Sequence, residues 1–343
     1  MMFKKIFLLY ILVSLASLCS LAVTPGPGTH YASDAYPGFD SESNVLPQER
    51  KTPSFLWWRK AKSDDPAKQL ALAREYVTDG AYGAAINAYN ALVAKFPLSP
   101  EAVKAQEDLA DTYLYKINDP INALEEYKYL VDFYSSDCDY DKAIAKMYET
   151  AKKMREDGKR IIFFKFANTA DVRCAFEGVV RRAPGAYFAP EAMYSIVELR
   201  IDEEEYAEAI EVCKVIRNRY SSSNQAKAAL YKEAELRMIL LRSHEYNRDR
   251  GLNTVSFLDM AIRLAEDADI RAEFQKWRAE AYAIVEKEAY EAAVFYDSIT
   301  RKRRGTINAY ERFLRDYPAS SYAQKVRERL EQLKSTSSAK ESK

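Results

Sequence analysis

Histidine is almost absent from this chain: His30 and His244 are the only two among 343 residues. The residue type that most often serves as general base and metal ligand is therefore nearly missing, and any catalysis would rest on carboxylates alone. Cysteine is sparse as well, and Cys19, Cys138, Cys174 and Cys213 stand too far apart for a zinc module. No G-x-x-x-x-G-K-S/T, G-x-S-x-G or H-E-x-x-H run occurs anywhere. Glycine numbers only 10, and 51 basic residues balance 51 acidic ones. Zero net charge leaves no electrostatic footprint for nucleic acid. These absences assign no cofactor and no metal, and they point away from an enzyme. The remaining composition, 48% hydrophobic and 30% charged, is that of an ordinary helix-favouring globular chain.

Long apolar runs are also missing, except at the start. In "MMFKKIFLLYILVSLASLCSLA", Lys4 and Lys5 precede an apolar run from Ile6 to about Leu18. A charged head, a short apolar stretch and small residues at its exit read as a secretory signal over residues 1–22; a membrane span needs roughly 20 apolar residues. Two endings compete. Ser20 and Ala22 fit cleavage after Ala22, whereas "ASLC" fits a lipoprotein box with Cys19 as the lipidated residue. Residues 23–53 then hold five of the twelve prolines and three of the ten glycines, a composition that buries no core and reads as a tether. At its end, "FLWW" (55–58) reads as a staple onto the first helix of the domain, or as a docking or interfacial anchor through Trp57 and Trp58.

From there the chain repeats itself. "YNALVAKFPLSPEAV" (89–103) returns as "YERFLRDYPASSYAQ" (310–324), with weaker echoes from 176 and 213. Such recurrence is the signature of a repeat architecture. In the first unit Ala73 and Tyr76 mark one helical face, Gly80 breaks the chain, and Tyr82, Ala85, Tyr89 and Leu92 mark a second face before Pro97 ends it. This is the tetratricopeptide layout: helices packed about 8 to 10 Å apart need a small side chain at the crossing and large ones beside it. Ala123 and Tyr127 repeat the layout with one extra residue between the helices, and Ala209 and Cys213 repeat it further on. Tyr310 and Pro318 mark the last unit, where Thr306 replaces the small alanine. The expectation is an all-α solenoid over 54–335 with about six helix pairs, a closing helix near Ser321 to Leu333, and a disordered tail at 336–343.

Several stretches depart from that frame. "IIFFKF" (161–166) reads as packing beneath the solenoid or as a clip for a partner. "IDEEEY" (201–206) reads as carboxylates gathered at a helix N-terminus. "RKRR" (Arg301, Lys302, Arg303 and Arg304) reads as a solvated face, an acidic-partner dock or a contact with anionic lipid. Cys213, at an aromatic position, reads as a buried thiol, and a Cys138–Cys174 bridge is the alternative to free thiols at those two positions.

The signal segment, the tether and the links "KFPLSPEAVKA" and "RDYPASSYAQKVRERL" together resemble the outer-membrane assembly lipoproteins of the BamD or YfiO group. The resemblance runs over roughly residues 60–335. It implies a non-enzymatic scaffold on the periplasmic face of the outer membrane, lipid-anchored if Cys19 is modified. The partners it implies are the POTRA-bearing barrel-insertion protein, other assembly lipoproteins and unfolded barrel proteins. The alternative is a periplasmic adaptor for another envelope complex, in secretion, pilus assembly, cell division or peptidoglycan metabolism.

Overall fold

The computed structural model describes residues 51–56, 59–158, 168–243, 248–299 and 303–341. The segments 1–50 and 336–343, the Trp57–Trp58 pair and "IIFFKF" bear on expectations above. Of these, only part of the tail falls within the described residues. There the last helix runs on to Glu341, because "STSSAKE" contains neither glycine nor proline to stop it; the boundary at 335 is thus corrected.

Among the described residues there are thirteen α-helices and no strands. They are α1 (Pro66–Thr78), α2 (Tyr82–Lys95), α3 (Pro100–Asp111), α4 (Pro120–Phe133), α5 (Tyr140–Gly158), α6 (Thr169–Arg182) and α7 (Ala189–Asp202). The remainder are α8 (Tyr206–Arg219), α9 (Asn224–Arg242), α10 (Arg248–Leu264), α11 (Ala268–Ile299), α12 (Arg303–Asp316) and α13 (Ala323–Glu341). Taken in order they are six pairs and a closing helix, a tetratricopeptide-type helical-hairpin fold. The chain divides into two compact units, one ending at Ala143 and the other beginning at Ile144, so the region read as one solenoid has a division within α5.

The repeated phrase now has a physical meaning. Its aromatic ends the second helix of a hairpin: the backbone amides of Phe96, Tyr134, Tyr220 and Tyr317 donate to Leu92, Leu130, Ile216 and Phe313 at 2.8 to 2.9 Å. Its serine starts the next helix, as Ser99 and Ser223 each accept, at 3.1 Å, from the amide of the alanine three residues on. Such caps satisfy backbone donors that no carbonyl reaches. Pro100 sits in the first turn, where its missing N–H costs nothing.

The hairpin turns share one device. Gly80, Asn118 and Glu204 all adopt left-handed backbone, with φ of 72°, 62° and 61°. Each is followed by an amide that closes the turn: Ala81 to Tyr76 O, Asp119 to Tyr113 O and Glu205 to Arg200 O, at 2.8 to 2.9 Å. The extra residue of the second repeat is taken up just before its turn, where Thr112–Ile117 form a π-helix.

In the first unit the core is built where the sequence placed it. Ala73, Ala85, Tyr89, Leu92, Ala123 and Tyr127 are buried, Tyr76, Tyr82 and Pro97 half-buried, and Gly80 exposed. The hairpins α1/α2 and α3/α4 stack through α2 against α3.

In the second unit successive helices from α6 to α13 pack in chain order. Phe176, Ala209, Cys213, Tyr310 and Phe313 are buried, while Pro318 is exposed. Thr306 keeps the buried place of the small alanine because its hydroxyl donates to Tyr296 O at 3.2 Å. This unit also buries charge: Glu177 lies among Arg173 (3.1 Å), Arg200 (3.6 Å) and Arg181 (3.8 Å). Glu203 and Glu205 of "IDEEEY" pair with Arg173 and Arg200. Glu205 stands at the N-cap of α8 without a side-chain cap bond, and the acidic run also answers buried arginines of α6 and α7.

Candidate peptide-binding cleft

Two glutamines organise the first unit. Gln69 of α1 and Gln106 of α3 each stand four residues before the small alanine, Ala73 or Ala110, and both are fully buried. Gln69 donates through Nε2 to Ala88 O at 3.1 Å, and Gln106 to Glu126 O at 2.8 Å. Each therefore ties the first helix of its hairpin to the second. A side-chain amide used this way has its oxygen left over.

In both repeats that oxygen receives the segment that enters the domain. Gln69 Oε1 accepts from the amides of Lys62 (2.9 Å) and Ser63 (3.1 Å). Gln106 Oε1 accepts from Lys51 Nζ at 3.0 Å. Lys51 Nζ also meets Glu126 Oε2 at 2.5 Å and lies 4.9 Å from the centre of the Tyr129 ring, while its backbone amide donates to Tyr129 Oη at 3.2 Å. Lys62 reaches Tyr76 Oη at 2.5 Å. Desolvation pulls the Lys51 ammonium below its ordinary pKa, against the opposing pull of Glu126.

The contact expected from "FLWW" is not made by its first residue, since Phe55 is 87% exposed. At Lys51, Lys62 and Ser63 the segment is held by polar contacts. A staple needs an apolar partner at the helix start, and α1 begins with Pro66, Ala67, Lys68 and Gln69.

A second recess lies in the same unit at the link between hairpins. It measures about 490 Å³ and is lined by Leu98, Pro100, Val103, Phe133, Tyr134 and Cys138 among others. In the second unit, Arg303 and exposed Arg304 occupy the first turn of α12, where the helix dipole disfavours cations. They follow exposed Phe295 and Tyr296 at the end of α11.

Cys19, Trp57, Trp58, Arg301 and Lys302 lie outside the described residues. Cys138 and Cys213 carry free thiols, so no bridge joins Cys138 to Cys174. Burial pushes the Cys213 thiol far above its ordinary pKa. Among the described residues no three His, Cys, Asp or Glu side chains gather as a metal site, and no helix is long and apolar enough to cross a membrane. The cleft residues Lys51, Gln69, Gln106, Glu126 and Tyr129 were missed by reading the sequence. The recurrence of glutamine four residues before the small alanine was the available signal.

No family model matches the chain, and no curated protein matches it. Among solved structures it is similar to a tetratricopeptide repeat protein from Parabacteroides merdae, with 14% identity, 78% of this chain and 98% of that one covered, and a TM-score of 0.30. It is also similar to MamA protein, with 16% identity over 66% of this chain and 94% of that one and a TM-score of 0.29. A third is Pseudomonas aeruginosa pilF, with 15% identity over 77% and 97% and a TM-score of 0.26.

Proposed function

We propose that this chain is a non-enzymatic scaffold that binds extended protein segments through its helical hairpins, and that it works at the periplasmic face of the outer membrane in β-barrel assembly. The observation that carries the scaffold reading is the docking of the entering segment on α1 and the α3/α4 hairpin by buried glutamines from equivalent places in two repeats. Repeat surfaces of this kind recognise extended polypeptide without any catalytic group. The assembly role is supported by the signal segment, the tether and the two aromatic-Pro-x-Ser-x-x-Ala links, at 96–102 and 317–323.

In this reading the chain is exported and is either held to the membrane through lipidated Cys19 or released by cleavage after Ala22. Its partners are the POTRA-bearing barrel-insertion protein, other assembly lipoproteins and unfolded barrel proteins. Chemical cross-linking in native envelopes, affinity purification of this chain and mass spectrometry test it. Reproducible enrichment of the barrel-insertion protein over an unrelated envelope bait is the expected result. Enrichment of secretion, pilus, division or cell-wall components in its place transfers the scaffold to that machine.

A further inference from the structure

Lys51 sits in the cleft of the α3/α4 hairpin as a bound ligand would. Its ammonium meets a carboxylate (Glu126), a neutral acceptor oxygen (Gln106) and an aromatic ring (Tyr129). These are the three kinds of partner that recognise a desolvated primary ammonium. The lysine side chain is 18% exposed, against 79% for Lys68 on the surface of α1.

The receptor is built by the helices themselves. Gln106 is fully buried and fixed by donation to Glu126 O at 2.8 Å and Glu126 Oε2 at 2.7 Å. Tyr129 is buried, with its ring 4.4 Å from that of Phe133 and 6.2 Å from that of Tyr134. None of these contacts requires the entering segment. Next to Lys51, residues Thr52, Pro53 and Phe55 are exposed, so at this end Lys51 itself makes the contact. The attachment at Lys51 is polar, and another chain can reproduce it.

We propose that Gln106, Glu126 and Tyr129 form a receptor site for a lysine side chain carried on an extended polypeptide, that Lys51 fills the site in cis, and that a lysine-bearing extended segment of a partner protein displaces it. A ligand carried on the same chain acts at an effective concentration of about millimolar. The cis lysine therefore masks the site from weak competitors. The inference concerns the chemistry of one cleft, and it stands whichever envelope machine the scaffold serves.

The test uses the full chain and a fluorescein-labelled peptide of residues 48–56, read by fluorescence anisotropy. The Lys51→Ala protein binds this peptide at least tenfold more tightly than wild type does. The same peptide with norleucine in place of lysine loses that gain, and so does the Lys51→Ala, Glu126→Gln double variant. Equal binding by wild type and Lys51→Ala, or equal binding of the lysine and norleucine peptides, overturns the proposal. Should Lys51→Ala fail to fold, acetylation of wild type read by peptide mass spectrometry decides. Lys51 reacts at least tenfold more slowly than Lys68, and equal rates overturn the proposal.

Discussion

Gln69 and Gln106 occupy the same place in successive hairpins, each donating its amide to a carbonyl of the paired helix and each receiving the entering segment on its oxygen. The same side chain thus serves the core and the cleft. Gln106→Leu keeps the volume but leaves Glu126 O and the Lys51 ammonium short of a partner. Its expected cost is about 1–3 kcal/mol, checked by urea denaturation. A midpoint equal to wild type would contradict the assignment.

Ala85 is fully buried on α2, where the crossing leaves room for one methyl group. Ala85→Leu overpacks this contact and lowers stability by about 1–3 kcal/mol, measured in the same way. Ala84→Leu, at the exposed neighbouring position, leaves the midpoint within about 0.5 kcal/mol.

The left-handed turn residues yield a pair of opposite outcomes. Glu204, with φ of 61°, bears a side chain in a conformation that costs roughly 1–2 kcal/mol. Glu204→Gly relieves that strain and, after the added freedom of the unfolded chain, raises stability by about 0.5 kcal/mol. Gly80→Ala meets no neighbour within 4 Å and still lowers stability by about 1 kcal/mol, because its φ alone is unsuited to alanine. Thermal midpoints that move in the same direction would refute this account.

Glu177 stands at the centre of a buried charge cluster with Arg173, Arg181 and Arg200. Glu177→Ala takes the shared carboxylate from three buried guanidinium groups, leaving Arg173 and Arg200 with Glu203 and Glu205 alone, and costs about 3–5 kcal/mol. Glu198→Ala removes an outer pair with Arg155 at 2.7 Å and costs no more than about 1 kcal/mol. Comparable losses from the two variants would mean that the cluster is not dry.

Acid unfolding of the second unit depends on Asp297, which accepts from Arg329 of α13 at 2.7 Å and from Tyr310 of α12 at 3.1 Å. The Arg329 bond, more than the Tyr310 one, holds its carboxyl below the ordinary 3.8. A depressed carboxyl pKa means stability that is present above about 3.8 and lost as the pH falls through the folded value. Asp297→Asn therefore narrows the stability difference between pH 6 and pH 3 measured by circular dichroism. An unchanged difference would exclude this contribution.

Reading the sequence found the hairpins because their signals are local. Ala85, Tyr89 and Leu92 lie on one helix and Ala73 on the helix just before it, and packing alone dictates their spacing. The cleft was not legible in the same way. Lys51 and Glu126 are 75 residues apart, and a lone lysine at the end of a proline-rich tether looks like any solvated charge. The destination of "IDEEEY" was hidden too, since Glu203 and Glu205 reach arginines on two preceding helices. Phe55 was read as part of a hydrophobic staple, but it stands exposed, and the first turn of α1 sets only Pro66 and Ala67 beside polar Lys68 and Gln69.

The π-helix at Thr112–Ile117 brings the longer second repeat back to a left-handed turn closed by the same kind of amide-to-carbonyl bond as the first. An inserted residue is thereby confined to the tip of a hairpin, and the helices beyond it stay in phase. Repeat length in this chain is free to drift by a residue without disturbing the crossings, which helps explain why a search for a strict period recovers its units so unevenly.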